Sequence, residues 1–308
     1  MYHFIINPHS KTGHAMKYWK ELSQILDNRK VKYQAYFTKQ RKDATNIARK
    51  ICEDHKGIKK IIIVGGDGTA NEVINGLNNN NEILLGYIPL GSSNDLARGL
   101  KLPKDPKAAL EIILNPKEFR YVDHGTLKLN DTKQSCQFAV SSGIGYDAAV
   151  CNQALTSPLK HLLNKLHMGK LVYILIAIKQ IFVHQPAKAD IIIDDHRHIH
   201  TDRLIFMASM IQKYEGGGLP MCPTAKDNDQ KLTICLVTNM KPGKVLLLMP
   251  SIFFGKHIHF RGIQMIDCRK VEVKTNKPMV VHTDGEIVGF HDDITLSCTP
   301  TQIRMFSR

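Results

Sequence analysis

Ile61-Ile62-Ile63-Val64-Gly65-Gly66-Asp67-Gly68-Thr69-Ala70-Asn71-Glu72-Val73-Ile74-Asn75-Gly76-Leu77 is the stretch that decides the fold. Four β-branched apolar residues, Ile61 to Val64, suit a strand buried on both faces. They run into Gly65-Gly66-Asp67-Gly68-Thr69, after which Val73, Ile74 and Leu77 recur at helical spacing. A strand, a glycine turn and a helix in that order make a phosphate cradle. Glycines let backbone N–H groups approach phosphate oxygens, and the helix N-terminus adds a positive dipole. The wording is neither Gly-x-Gly-x-x-Gly nor a Walker loop, because no Gly-Lys-Ser/Thr follows. Asp67 opposes a phosphate's charge unless a cation lies between them, so it suggests a bridging Mg²⁺. The plainer reading is a tight, exposed turn with Asp67 capping the helix.

Working outward, Ile83 to Ile88 is a second apolar strand that ends in Pro89-Leu90-Gly91-Ser92-Ser93-Asn94-Asp95-Leu96-Ala97-Arg98, a small-residue turn entering a helix. Upstream, His3 to Ile6 is a short strand ending at Asn7-Pro8. A polar turn, His9 to Gly13, precedes an amphipathic helix carrying Ala15, Tyr18, Trp19, Leu22, Ile25 and Leu26. Val31, Tyr33, Ala35 and Phe37 alternate as a strand ending at Thr38, and Asp43 to His55 reads as a helix. Asp105 and Pro106 cap and start another. This alternation predicts an α/β domain with a parallel sheet and sites at the carboxyl ends of its strands.

After Leu127 the texture changes to successive strand-like runs: Gln137 to Ser141, Ala189 to Asp194, Arg203 to Ile211, Leu232 to Val237, Val271 to Lys274, Met279 to Thr283 and Ile294 to Cys298. They predict a second, mostly antiparallel β domain. The expected division is 1–125 and 126–299, with 300–308 packing back on the first domain. Ser142 to Asp147 reads as a glycine-rich turn before a helix, and Leu159 to Val183 as an apolar and basic helical region. Lys165, His167, Lys170 and Lys179 interrupt that region, so it is not expected to span a membrane. Asn78 to Asn81 reads as a loop.

The chain has 308 residues, seven scattered cysteines and a net charge of +14. Unpatterned cysteines suit reduced thiols in a cytoplasm, and no signal peptide is expected, since Met1-Tyr2-His3-Phe4 has no basic region and no long apolar run. The positive charge implies an acidic partner. No acidic residue lies between Asp147 and Asp190, or between Asp229 and Asp267, while lysines there sit among Leu, Ile, Phe and Val. That mixture fits an anionic membrane surface better than nucleic acid.

The two glycine turns, Gly65 to Gly76 and Pro89 to Arg98, resemble the diacylglycerol kinase catalytic domain, the lipid-kinase family that includes sphingosine kinases and is more distantly similar to NAD kinases. The resemblance extends over nearly the whole chain and looks most like the soluble bacterial lipid kinases. It implies ATP and Mg²⁺ as cofactors. It places the nucleotide at Asn7, Pro8, Ser10 and Lys11, at Thr38, at Gly65, Gly66, Gly68, Thr69, Asn71 and Glu72, and at Gly91, Ser92 and Asn94. Lys11 stands where the family carries glycine. The resemblance further implies that Asp67, Asp95 and Asp123, the last in Val122-Asp123-His124-Gly125, organise metal and water.

In the same family a turn like Pro223 to Leu232 holds a structural Mg²⁺, which implies the Asp229 side chain and the Lys226 and Lys231 carbonyls as ligands, with Gln230 in place of glycine. In His282-Thr283-Asp284-Gly285-Glu286 the resemblance implies Glu286 as the general base on a lipid hydroxyl. The expected activity is transfer of the γ-phosphoryl of ATP to a lipid hydroxyl, with diacylglycerol as first acceptor. A sphingoid base, phosphatidylglycerol, an isoprenoid alcohol or NAD are alternatives, as is a silent nucleotide- or lipid-binding regulator. The expected partner is a lipid substrate at the inner face of an anionic membrane, approached from the cytoplasm. No nucleic acid is expected, and a homodimer is left open.

Overall fold

The computed structural model describes residues 1–54, 57–77, 82–156 and 169–307. His55, the Asn78 to Asn81 loop and the stretch from Leu159 to Met168, with Lys160 and Lys165, lie outside the described residues.

The quoted stretch forms strand β3 (Lys59–Gly65) and helix α3 (Asp67–Gly76). Around β3 stand β1 (Tyr2–Ile6), β2 (Tyr33–Phe37), β4 (Ile83–Pro89), β5 (Glu118–Val122) and β15 (Ile303–Ser307), in the order β2-β1-β3-β4-β15-β5. The first four are parallel, and β15 runs parallel to β4 and antiparallel to β5. The end of the chain therefore completes the first sheet. Successive residues of β3 feed opposite layers, as strand periodicity requires. Ile61 and Ile63 pack toward α2 (Asp43–Asp54) and α3, while Ile62 and Val64 pack toward α1 (Ala15–Asn28) and α5 (Pro106–Leu114). All four are fully buried, so β3 sits at the centre of a three-layer α/β sandwich. The expected Asp105 cap is present: its carboxylate accepts from the Ala108 N–H at 3.1 Å, with Pro106 in the first turn. A short helix, α4 (Asp95–Gly99), follows the second glycine turn.

The second domain is an antiparallel sheet built from β6 (Gly125–Leu129), β7 (Ser135–Phe138), β8 (Ser141–Gly145), β9 (Ala187–Ile193), β10 (Arg197–Met210), β11 (Leu232–Thr238), β12 (Ile263–Cys268), β13 (Lys270–Thr283) and β14 (Glu286–Cys298). β10 and β13 are each 14 residues long, and β8 and β9 both lie between them at different levels. The fold class is the expected one, with different bounds. Val271 to Lys274 and Met279 to Thr283 are one strand, broken in register where Thr275 to Pro278 interrupts the pattern. Gln137 to Ser141 divides into β7 and β8. Ser141 to Gly145 is extended strand feeding directly into α6 (Tyr146–Thr156), not a turn. Two further helices, Gly169–Val183 and Pro242–Ile252, pack against each other. Among the described residues no helix is long and apolar enough to cross a membrane.

Candidate active site

The two glycine turns meet backbone to backbone. A Cβ on Gly66 would lie 2.9 Å from the Gly91 Cα, and one on Gly91 would lie 2.6 Å from the Gly66 Cα. Neither position can carry a side chain without moving the other strand's end. The Leu90 N–H donates to the Gly65 carbonyl at 2.6 Å, and the Asn94 side chain closes its own turn by accepting from Gly91 N–H and donating to Gly91 O, both at 2.8 Å. Asn94 is held at φ 51°, the left-handed region that asparagine tolerates.

Asp67 ties these turns together. Its Oδ2 accepts from the Asp95 N–H at 3.0 Å and its Oδ1 from the Leu96 N–H at 3.2 Å. It therefore caps α4, in the other turn, rather than its own helix. This corrects the expectation of an exposed turn: burial is the main cause pushing its carboxyl up to about 6, with the neighbouring Asp95 and Asp284 charges adding to it. Asn7 joins the same assembly by donating from Nδ2 to Thr69 Oγ1 at 3.1 Å, while the Asn7 N–H donates to Val64 O at 3.0 Å.

Glu286 comes from the other domain and closes over the first turn. Its Oε1 lies 3.6 Å from where a Gly68 Cβ would stand, so the absence of a side chain at Gly68 leaves the carboxylate directly over the turn. Arg41, from the β2–α2 loop, pairs with its Oε2. Next to it Asp284, which the sequence motif contained but which was not assigned a role, is half-buried at φ 47°. Asp284 accepts from the N–H groups of Ala139 (2.9 Å), Val140 (2.8 Å) and Ser141 (2.9 Å), and from Asn71 Nδ2 (2.8 Å). Burial raises its carboxyl, partly offset by the Ala139 N–H and the other donors.

Several expected nucleotide contacts point elsewhere. The Asn71 side chain bridges Asp284 and Gln137 O, so it joins the domains. Glu72 accepts from the Lys42 and Ala44 N–H groups at 2.9 and 3.2 Å and so caps α2. The Lys11 ammonium lies 4.4 Å from the centre of the Tyr18 ring, with φ 51° at the position where glycine was expected. Lys11 thus adopts the left-handed backbone that glycine takes freely. Ser92 presents an exposed hydroxyl, while Thr38 is buried at the end of β2. Pro8 and Ser10 lie in the β1–α1 loop, where the Ser10 N–H donates to Asn7 O at 3.2 Å.

Asp123 does not join Asp67. Its Oδ2 accepts from the Gln230 N–H and its Oδ1 from Gln302 Nε2, both at 2.7 Å. It thereby holds the Lys226 to Lys231 turn against the first domain. Gln230 stands at φ 58°, the left-handed region that glycine takes freely. Asp229 is exposed and its Oδ1 accepts from the Lys231 N–H at 3.2 Å. One carboxylate and two carbonyl oxygens are hard donors, a set that suits Mg²⁺. Among the described residues no cluster of three His, Cys, Asp or Glu side chains is arranged as a metal centre. The raised carboxyl of Asp67 beside Asp95 is nonetheless one whose ionised form a divalent cation would favour.

Behind the cleft, Asp95 Oδ2 accepts from the Gly217 N–H at 2.8 Å. Two residues earlier Glu215 accepts from Ser141 Oγ at 2.6 Å and lies 3.5 Å from His282 Nε2, which is also 3.2 Å from Asp147 Oδ2. Burial works against charge on His282, but the Asp147 hydrogen bond and the Glu215 and Asp147 charges prevail and lift it to about 9. Burial raises Glu215 to about 7.

A parallel α/β domain and an antiparallel domain, meeting where an acidic turn covers a paired glycine turn, define the diacylglycerol kinase class, and the chain belongs to that lipid-kinase family. Residues 1–127 match the diacylglycerol kinase catalytic domain, and residues 139–307 match the YegS C-terminal NAD kinase beta sandwich-like domain. YtlR of Bacillus subtilis (strain 168) is 29% identical over 306 residues, 98% of each chain. A diacylglycerol kinase of Mycobacterium tuberculosis (strain H37Rv) is 27% identical over 79% of this chain and 72% of its own. The crystal structure of a diacylglycerol kinase from Bacillus anthracis superposes with a TM-score of 0.75 at 21% identity, covering 99% of this chain and 96% of that one.

Proposed function

We propose that the protein transfers the γ-phosphoryl group of ATP to the hydroxyl of a membrane lipid, diacylglycerol first, and works from the cytoplasm at the inner face of the membrane. The observation that carries this is Glu286 standing over Gly68, a carboxylate from the second domain above the phosphate-cradling turn of the first. In this reading the N–H groups of Gly66, Gly68 and Thr69 and the Ser92 hydroxyl position phosphate oxygens. The lipid hydroxyl gives its proton to Glu286 as its oxygen bonds to the γ-phosphorus. The bond from that phosphorus to the β-bridging oxygen breaks, and ADP leaves. Bound Mg²⁺ would neutralise charge on the phosphates. Asp67 and Asp95 are the carboxylates suited to hold it in the cleft, and Lys226, Asp229 and Lys231 would hold a structural ion in their turn.

Incubation with γ-labelled ATP and extracted membrane lipids tests the reading. The expected result is a labelled lipid phosphomonoester, with phosphatidic acid as the main product. Label appearing in water-soluble acceptors and in no lipid would overturn it.

A further inference from the structure

Two segments, 148–189 and 230–266, contain no acidic residue. Each contributes one of the two helices that pack together, Gly169–Val183 and Pro242–Ile252. The second of these is apolar through Val245, Leu246, Leu247, Leu248 and Met249, yet among its residues Leu248 alone is buried. Leu247 is 78% exposed, Phe254 76% and Phe182 63%, with Phe253 and Val183 also more than half exposed. Single exposed apolar residues are ordinary, whereas a neighbouring group of large ones marks an interaction surface. The tip at Phe253–Phe254 is fixed rather than loose. Gly255 turns it at φ 64° against Pro223, and the buried His257 ring bonds Met221 O through Nε2 at 2.9 Å.

Lys179, Lys241, Lys244, Lys256 and Arg261 are exposed on the same segments. An apolar tip flanked by cations and free of carboxylates from its own segments is complementary to an anionic bilayer, which offers both hydrocarbon and negative headgroups. A second copy of this chain would instead bring like charges together. We propose that the Pro242–Ile252 helix, the Phe253–Phe254 tip and the end of the Gly169–Val183 helix are the face on which the protein seats on an anionic membrane. The proposal rests on the lipid-kinase reading for its purpose, but vesicle binding is measured without turnover.

Sedimentation of the full chain with phosphatidylglycerol vesicles, without nucleotide, tests it. The variant Leu247→Ser/Phe253→Ser/Phe254→Ser should bind about tenfold more weakly or worse, since three exposed side chains no longer enter hydrocarbon. Lys241→Gln/Lys244→Gln/Lys256→Gln should also weaken binding and flatten its salt dependence. Both variants should phosphorylate a water-soluble short-chain diacylglycerol as the wild type does. Vesicle binding unchanged in the first variant overturns the proposal, as does equal wild-type binding to phosphatidylcholine vesicles. A first variant that keeps vesicle binding but shifts from dimer to monomer overturns it in favour of a subunit interface. Absence of all lipid phosphorylation by a wild type that still binds vesicles through this face defeats the kinase reading alone.

Discussion

Asp67 and Glu286 are both acidic residues in glycine turns, and their surroundings give them different work. Asp67 is half-buried, bonded to two N–H groups of α4 and pushed up to about 6. Its folded-state pKa lies above the ordinary value near 4. Stability from this group is therefore fully present below about pH 4 and is lost as pH rises through about 6. Urea titrations should show the wild type losing stability relative to Asp67→Asn between pH 4 and pH 7; a pH-independent difference would mean the carboxyl is not held protonated by the fold. Glu286 is part-exposed and paired with Arg41. Glu286→Gln keeps size and hydrogen bonding but cannot take a proton, so kcat should fall by about 10²–10⁴. Affinity for ATP should hold, because the turns that would bind phosphate belong to the other domain. A joint loss of both would show that Glu286 holds the domains together instead. The residue types at these turns were legible in the sequence, since glycine and aspartate at a strand-to-helix junction have few physical uses. Their partners were not, because Asp67 caps a helix 28 residues away.

At the scale of the element, Glu72 shows how a motif position can serve the scaffold. It accepts from Lys42 and Ala44 N–H groups at the start of α2, and Thr45 Oγ1 donates back to the Glu72 carbonyl at 2.8 Å. Glu72→Ala should therefore cost about 0.5–2 kcal/mol, the usual value of a lost helix cap. Denaturant unfolding measures it, and an unchanged midpoint would show that water replaces the cap freely. Helices α1, α2 and α5 of the first domain could be read from periodicity because each buries one regular face, and β3 and β4 from their apolar runs, which are buried on both faces. The second domain was harder. Ile263 to Cys268 mixes Gln264 and Asp267 into an edge strand, and Thr275 to Pro278 splits the pattern of a strand that continues through a register shift. The Pro242–Ile252 helix has apolar residues in an unbroken run, which carries no helical period. Lys11 and Gln230 show the converse: the residue departs from glycine while the positive φ is kept.

The whole molecule is held together by polar seams that no periodic pattern announces. Asp95 meets Gly217, Asp123 meets Gln230, Arg120 meets Asp227 at 2.7 Å, and Asn75 meets Gln137 across α3 and β7. Asp284 is the most heavily used, since one carboxylate accepts from three successive backbone N–H groups and from Asn71. Asp284→Ala removes the acceptor of three part-buried backbone N–H groups and one of the two that the Asn71 amide uses, since Asn71 keeps Gln137 O. Each stranded donor costs on the order of 1–3 kcal/mol before water or relaxation recovers part of it. A net loss on the order of 1–3 kcal/mol is expected once that recovery is counted, because removing Asp284 leaves neutral donors and no unpaired charge. The loss should be uneven. Asn71 belongs to the first domain while Ala139, Val140 and Ser141 lead into the second, so the variant weakens both the seam and the turn that carries Glu286. Calorimetry of the wild type should show one cooperative transition for both domains, and that of Asp284→Ala should show the second domain melting earlier and apart from the first. Asp284→Asn, which keeps acceptor capacity on one oxygen, should fall between them. If Asp284→Ala melts in one transition at the wild-type temperature, the seam is redundant and Glu286 is placed by its own strand, β14, and by Arg41.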